Sequence, residues 1–262
     1  MTVFNTLYAA SYNLLYADKD YTGEAVFIDK ILRRHCPQAK TLLDLGSGTG
    51  RHALELMKLG YDVTGVEMSS EMLTMAGQAL CQAVPKDGQS LPKVQKGDIR
   101  DVRLGRQFDV VTSLFHVVGY QRTNEDLMAA LATAYEHLPS GGVFLFDFWY
   151  GPAVLSEKPE VRIKRLDDGV TSLVRIAEPV TRYNDNIVEV HYDLFVRNKA
   201  DGVQEEFKEK HEMRYLFIPE IHFLAQAGGW AVLESGEWMT AAIPSEKTWG
   251  VYTVLKKIPT PA

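Results

Sequence analysis

Three glycines occur at every second position, Gly46, Gly48 and Gly50, directly after an apolar run that ends at Leu45. Glycine has no β-carbon and tolerates positive φ, so such a loop turns sharply and approaches a bound molecule closely. The dinucleotide fingerprint G-x-G-x-x-G has a different spacing, and Arg51 follows the third glycine here. The pattern indicates a ligand-contacting loop between a strand and a helix. The alternative is an ordinary tight turn.

A carboxylate follows the loop at a distance of about 20 residues, as in nucleoside-binding proteins. Glu67 ends the apolar segment 62–67 and can accept hydrogen bonds from both hydroxyls of a ribose. Nicotinamide-dependent enzymes use the same arrangement, so Glu67 indicates a bound nucleoside and not a particular cofactor. Asp98 and Ile99 end the next predicted strand, at 94–99, where the carboxylate either binds a ligand or caps the residues that follow.

These motifs require an alternation of strands and helices to bring them together. The pattern predicts strands at 41–46, 62–67, 94–99, 108–114 and 143–148, and helices at about 24–35, 50–59, 69–83 and 124–138. Strands separated by helices form a parallel sheet through right-handed crossovers, and ligands bind at the carboxyl ends of its strands. The glycine loop, Glu67 and Asp98 all lie at such ends.

The hydrophobic pattern changes after Pro152. Apolar and polar residues alternate with period two from Val161 to about Tyr215, interrupted by turn signals such as 184–186 and 200–202, which predicts an antiparallel meander. A helix at 219–227 and strands at 232–238 and 249–255 follow. We therefore expect a core of residues 1–151 and 216–262 and an inserted sheet of residues 152–215. This sheet either covers the substrate or stiffens the fold and supports a homodimer.

The composition favours small-molecule chemistry. The chain has 262 residues, 46% of them hydrophobic, and a net charge of -6 without a cluster of basic residues. Nucleic acids and anionic membranes need a basic surface, so neither is expected as a partner. The start lacks a basic signal-peptide region and no apolar run has the length of a membrane span, which predicts a cytoplasmic protein. Cys36 and Cys81 lack metal-ligand spacing and are expected to be buried free thiols, and no metal site is predicted.

The glycine loop resembles motif I of the class I S-adenosylmethionine-dependent methyltransferases. The segments 12–16, 19–21, 65–69, 97–101, 108–112 and 119–120 are further similar, in the same order, to the sugar-nucleotide N-methyltransferases. The resemblance implies an α/β fold with a Rossmann-like sheet of seven strands, mostly parallel with the last strand antiparallel. It also implies an antiparallel insertion between the fifth strand and the last helix.

The resemblance implies that S-adenosyl-L-methionine is the methyl donor and S-adenosylhomocysteine the product. The acidic side chain of Asp98 and the apolar Ile99 would hold the adenine, and Tyr21 would bind the methionine carboxylate unless it is a core aromatic. The full set of residues expected to bind the cofactor is Tyr21, Asp44, Gly46, Ser47, Gly48, Glu67, Met68, Asp98, Ile99 and Leu114.

The segment 114–120 follows the fourth strand, where the acceptor should meet the methyl group. His116 and Tyr120 are therefore the catalytic candidates, although each could instead be a packing residue. An amine must be neutral to attack, and either side chain could accept its proton. Candidate substrate contacts are Tyr12, Trp149, Arg162 and Arg214. The two arginines could bind a pyrophosphate or lie on a solvated strand face.

The leading hypothesis is methyl transfer to a small molecule, namely to the amino group of a nucleotide-linked deoxyaminosugar. One alternative is an O-methyltransferase of another small metabolite, which His116 as a base would suit equally. The other alternative is a binding module that retains the nucleoside pocket without catalysis.

Overall fold

The computed structural model describes residues 11, 14–85, 88–200 and 202–258. Tyr12 lies outside them. The described helices are α1 Tyr21–His35, α2 Arg51–Lys58, α3 Ser70–Gln82, α4 Asn124–Glu136, α5 Gly151–Ser156 and α6 Ile218–Ala227. The first strands are β1 Thr41–Leu45, β2 Asp62–Glu67, β3 Lys93–Lys96, β4 Val110–Ser113 and β5 Val143–Trp149. The remaining strands are β6 Arg162–Asp167, β7 Thr171–Arg182, β8 Ile187–Asn198, β9 Gln204–Arg214, β10 Trp230–Glu237 and β11 Gly250–Lys257.

Seven strands form one sheet in the order β10-β11-β5-β4-β1-β2-β3. Strands β1 to β5 pair in parallel, and β11 lies antiparallel to both β5 and β10. This arrangement confirms the predicted α/β sheet with an antiparallel last strand. Helices cover both faces: α1 and α2 pack on one side, and α4 and α6 pack on the other.

Short polar residues start three of the helices, as N-cap chemistry predicts. The Asp20 carboxylate accepts a hydrogen bond from the Gly23 amide at 2.8 Å, and the Ser69 hydroxyl accepts one from the Met72 amide at 3.2 Å. The Thr123 hydroxyl accepts one from the Asp126 amide at 3.1 Å. Each cap satisfies a backbone amide in the first turn of its helix.

A four-stranded antiparallel sheet, β6-β7-β8-β9, is inserted between β5 and α6, as predicted. We call the face of this sheet that packs on the rest of the protein its inner face. Leu173, Leu194 and Phe207 on that face join Leu15 and Met72 in one apolar cluster, which ties the inserted sheet to α3 and to the segment before α1. A second cluster around Val188 and Val190 includes Val154 of α5.

Two sequence predictions need correction. Strand β3 ends at Lys96, and not at Ile99, because it is an edge strand that pairs only with β2. Asp98 lies in the turn that follows, where its carbonyl accepts hydrogen bonds from the amides of Asp101 and Val102. The cysteines are also more accessible than expected: Cys81 is exposed, and Cys36 is half-buried at the end of α1.

Candidate functional site

The glycine loop leaves β1 with its backbone held against β2. The amides of Gly46 and Ser47 both donate to the carbonyl of Val66, at 2.8 and 2.9 Å. Gly46, Gly48 and Gly50 all have positive φ, at 84°, 55° and 73°, which explains the requirement for glycine. A β-carbon at Gly48 would meet no atom within 4 Å, so this residue borders open space. The loop therefore lies at the carboxyl edge of the sheet with Gly48 facing open space.

Glu67, at the end of the neighbouring strand β2, binds the glycine loop. Its carboxylate accepts hydrogen bonds from the amides of Gly48 at 2.9 Å and Ser69 at 2.8 Å. Burial raises the pKa of Glu67, and these amide bonds oppose the rise. Ser47 adds a buried hydroxyl that has no hydrogen-bond partner within the described part of the chain. Both side chains thus offer polar atoms to a ligand beside the glycine loop.

Asp44 lies below the loop and is 1% exposed. The Thr112 hydroxyl donates to it at 2.8 Å. Burial raises the pKa of Asp44 to about 6, although nearby His52 and the Thr112 hydrogen bond oppose the shift. The carboxylate is therefore a buried negative charge beside the glycine loop, suited to interaction with a cation.

A second buried acidic group, Glu24, lies on α1. The Glu24 carboxylate lies 2.6 Å from His52 Nε2 and also pairs with Lys19. Burial opposes ionisation, but hydrogen bonds from His52 and Lys19 bring the pKa of Glu24 down to about 2. Tyr21 is buried beside this pair, with its ring 4.2 Å from the Arg51 guanidinium carbon. These contacts pack the start of α1 against the glycine loop.

The remaining predicted cofactor residues follow the neighbouring strands. Asp98 binds Arg100 through its side chain, and this hydrogen bond lowers the Asp98 pKa. Ile99 is buried in the core beneath it, and Leu114 is buried after β4. Met68 is half exposed after β2. The structure thus places all four at the carboxyl edge of the sheet.

The chain after β4 adopts an unusual backbone. Phe115 and His116 both have positive φ, at 65° and 62°. Such conformations cost about 1–3 kcal/mol each and cluster at functional sites. His116 Nδ1 lies 2.7 Å from an oxygen of Asp147, which is almost fully buried at the end of β5, and the His116 amide donates to the same carboxylate. The His116 ring also lies 6.0 Å from that of Trp149. Asp147 therefore holds the His116 backbone by hydrogen bonds and lies close to its ring.

Tyr120 ends a 3-10 turn at Val117–Tyr120 and faces the inserted sheet. Its hydroxyl lies 2.8 Å from Nδ1 of His211 on β9. The ring of Tyr192 packs edge-on against the His211 ring at 5.0 Å, and the Arg175 guanidinium lies 5.1 Å from the Tyr192 ring. We call Tyr120, Tyr192, His211 and Arg175 the polar chamber.

The polar chamber is uncharged at the Tyr120–His211 contact. Burial raises the Tyr120 pKa well above its ordinary value of 10, with further contributions from Tyr192 and Tyr16. Burial, followed by the charge of Arg175, lowers the pKa of His211 to about 4. At neutral pH a protonated phenol therefore faces a neutral imidazole.

The two predicted substrate arginines lie on opposite faces of the inserted sheet. Arg162 is exposed on β6, opposite Ala177 and in the same row across the sheet as Tyr192. Arg214 is 6% exposed on the opposite face of β9 from His211, where it binds Glu220 and the Asn124 side chain. It lines a cavity of about 500 Å³ with other charged residues of the inserted sheet and α4, including Arg122, Arg182, Asp185 and Glu212.

Sequence reasoning missed His211, Tyr192, Arg175 and Asp147. The first three lie in the predicted meander. Their spacing from Leu194 and Phe207 places all three on the same face of the sheet as those residues, which is the inner face. The sequence spacing shows that these residues share one face of the sheet, but it does not show which face packs against the rest of the protein. Asp147 interrupts the apolar run of β5, which was a usable signal for a buried functional carboxylate.

Among the described residues, no helix has the length and apolar character that a membrane span requires. In the same part of the chain, no three His, Cys, Asp or Glu side chains are grouped so that they could hold a metal ion.

Comparison with known proteins assigns this architecture. Residues 42–142 match a methyltransferase domain family. The chain is 35% identical to a dTDP-3-amino-3,4,6-trideoxy-alpha-D-glucopyranose N,N-dimethyltransferase of Streptomyces venezuelae, over 87% of this chain and 93% of that protein. The crystal structure of Streptomyces venezuelae DesVI superposes with a TM-score of 0.78 at 29% identity, covering 96% of this chain and 98% of that one.

A further solved structure shows the same fold with the cofactor in place. It is SAM-bound CalS10, an amino pentose methyltransferase from Micromonospora echinaspora, with a TM-score of 0.74 at 24% identity and coverage of 98% and 99%. The fold, the glycine loop and the sequence identity, which extends over nearly the full length of both chains, indicate the same family. The chain therefore belongs to the S-adenosylmethionine-dependent methyltransferases, in the family that includes the sugar-nucleotide N-methyltransferases.

Proposed function

We propose that the protein transfers a methyl group from S-adenosylmethionine to the amino group of a nucleotide-linked deoxyaminosugar. One observation carries the proposal: a single short turn borders both halves of the site. A β-carbon at Gly46 would clash with the Val117 side chain, so that side chain packs closely against the glycine loop, while Tyr120 at the end of the same turn reaches the polar chamber. A donor on the loop and an acceptor in the chamber would then be neighbours.

The residues on the donor side fit S-adenosylmethionine. Glu67 would accept the ribose hydroxyls, Asp98 and Ile99 would hold the adenine, and Gly48 borders the open space that a nucleoside needs. Asp44 supplies a buried negative charge for the cationic end of the donor. When bound, S-adenosylmethionine supplies an electrophilic methyl group on a sulfonium.

The residues on the acceptor side favour an amine acceptor in its neutral form. Alignment at near-attack distance supplies much of the barrier reduction in such displacements, so the protein must mainly orient the nitrogen and exclude water. The polar chamber provides hydrogen-bonding groups that carry no charge at the Tyr120–His211 contact, and His116 lies nearby on the same loop. Such groups orient an amine without holding it as an ammonium ion.

Cationic residues of the inserted sheet support the proposal that the protein binds the nucleotide part of its substrate. Lys164 on β6 lies opposite Arg175 on β7, and Arg162 lies two residues away on the same face. Cationic side chains of this kind bind diphosphates. The dTDP-linked substrate named for the Streptomyces venezuelae relative carries such a group.

The test uses two matched acceptors, a dTDP-linked 3-amino sugar and its 3-hydroxy analogue, after calorimetry has measured S-adenosylmethionine binding. We expect donor binding and methylation of the amine alone. Transfer to the hydroxyl analogue alone would support the O-methyltransferase alternative. Donor binding without turnover of either compound would contradict the proposal.

A further inference from the structure

We propose that Asp147 is a positioning residue for this reaction: it holds the backbone of His116 and thereby sets the direction of the turn that borders both halves of the site. The inference rests on the proposed function and deepens it. Asp147 would act through His116 and the turn Val117–Tyr120 without touching the donor or the acceptor.

The backbone of His116 is fixed on both sides. Its amide donates to the two carboxylate oxygens of Asp147, at 3.2 and 3.1 Å, from β5, the strand that pairs with β4. Its carbonyl accepts a hydrogen bond from the Gly119 amide at 2.9 Å. Because His116 directly precedes the 3-10 turn Val117–Tyr120, the direction of this turn depends on the backbone angles of His116.

The left-handed backbone at positions 115 and 116 needs support from its surroundings. Phe115 and His116 have φ of 65° and 62°, and such conformations persist only where neighbouring contacts determine them. The Tyr16 ring packs edge-on against the Phe115 ring at 5.1 Å, and the Lys19 ammonium lies 4.3 Å from the centre of the same ring. At His116, the hydrogen bonds to Asp147 supply the support.

The burial of Asp147 fits this task. It is 1% exposed and lies between Phe146 and Phe148 in an otherwise apolar strand. No Lys or Arg side chain in the described ranges forms an ion pair with it, whereas His116 Nδ1 lies 2.7 Å from one of its oxygens. A buried carboxylate costs free energy unless it is hydrogen-bonded. The contact with His116 therefore explains why an acid interrupts this strand.

Release of the turn would disturb the acceptor side more than the donor side. The Val117 side chain packs against Gly46 at one end of the turn, and Tyr120 reaches the polar chamber at the other. The glycine loop is held separately by its hydrogen bonds to β2. Loss of the Asp147 contact would thus misplace the groups that orient the amine while the donor loop stays in place.

The first test is hydrogen exchange, which needs neither donor nor acceptor. Exchange of the His116 amide is followed by NMR in the wild type, Asp147→Val and Asp147→Asn. The Asn side-chain oxygen can accept the hydrogen bond, and Val cannot. We expect exchange at least about tenfold faster in Asp147→Val than in the other two proteins, because the amide is released. Equal exchange in Asp147→Val and the wild type would overturn the inference.

The second test is kinetic. We expect Asp147→Val to lower kcat about 10- to 100-fold, as misplaced reacting groups do, with the donor Kd unchanged by calorimetry. Asp147→Asn should recover most of the rate. Thr253→Val is the control, because Thr253 is equally buried in the neighbouring strand β11 and its hydroxyl lies 2.7 Å from that of Ser235. Its kcat should stay at the wild-type value.

Two kinetic outcomes would contradict the inference. One is an unchanged kcat in folded, donor-binding Asp147→Val. The other is an Asp147→Asn protein as slow as Asp147→Val, which would show that the reaction does not depend on the hydrogen bond to the His116 amide. Absence of methylation by the wild-type protein would instead contradict the proposed function, and the exchange test would still decide whether Asp147 holds the turn.

Discussion

The space above Gly48 gives a prediction with a closely matched control. Gly48 has φ of 55° and a β-carbon there would meet no atom within 4 Å. Gly105, in the turn before β4, has φ of 67° and equally open surroundings. Alanine at either position therefore introduces the same kind of backbone strain and no clash within the free protein. Only position 48 borders the proposed donor site.

Because the two positions are so similar, the same loss of stability is expected for alanine at each of them. A left-handed non-glycine residue costs about 1–2 kcal/mol, and a chain of this size loses roughly 2–4 °C of Tm per kcal/mol. Both variants should thus melt about 2–8 °C below the wild type. A ligand at 100 times its Kd stabilises by about 2.7 kcal/mol. Wild type and Gly105→Ala should gain several degrees from S-adenosylmethionine, whereas Gly48→Ala should gain much less.

The assay is thermal unfolding with and without S-adenosylmethionine, supported by calorimetric titration of each variant. We expect the donor Kd of Gly48→Ala to rise at least about tenfold, equivalent to about 1.4 kcal/mol, and that of Gly105→Ala to stay at the wild-type value. A Gly48→Ala protein that binds the donor as tightly as Gly105→Ala would refute the assignment of this loop as the floor of the donor site.

Three further predictions concern charged side chains. Because burial raises the pKa of Asp44 to about 6, its ionised form destabilises the free protein above that pH, and the penalty fades as the pH falls towards 4. Asp44→Asn should therefore raise stability at pH 7.5 by up to about 3 kcal/mol, with a smaller gain at pH 4.5 in thermal melts; a lower Tm at pH 7.5 would contradict this. Glu67→Gln should weaken donor binding about 10- to 100-fold in calorimetry, since a charged hydrogen-bond acceptor is lost, and Glu71→Gln on the adjacent turn should not. Arg214→Met breaks the contact with Glu220 and should cost about 3 kcal/mol of stability while leaving the KM for the sugar nucleotide unchanged; a raised KM at unchanged Tm would instead make Arg214 a substrate contact.

The donor half of the protein was predictable from the sequence because its signals are local. The glycine spacing after an apolar strand, and the carboxylate at Glu67, lie within one strand-helix-strand unit, so their relative positions follow from the topology. The end of β3 was not predictable to the residue. The predicted strand extends through Gly97 and Asp98 to Ile99, but an edge strand has one partner and ends where pairing with Glu67 ends.

Predicting the acceptor half from the sequence requires knowing which face of the inserted sheet packs against the rest of the protein. His191 and His211 occupy similar alternating patterns, yet His191 is exposed while His211 is buried against Tyr120. Both faces of this sheet carry apolar residues, as Leu194 and Phe195 show, so alternation alone does not select the inner one. Arg214 illustrates the same difficulty: its spacing of three residues from His211 places it on the opposite face, but the sequence does not show which of the two faces is covered.

The central claim is that donor and amine meet at one edge of the sheet, and an isotope-transfer experiment tests it most directly. The protein is incubated with S-adenosylmethionine carrying a ¹³C-labelled methyl group and with a dTDP-linked 3-amino sugar, and the product is examined by NMR and mass spectrometry. We predict that the labelled carbon is bonded to the sugar nitrogen. Label found on oxygen, or none transferred by a protein that binds both molecules, would contradict the account.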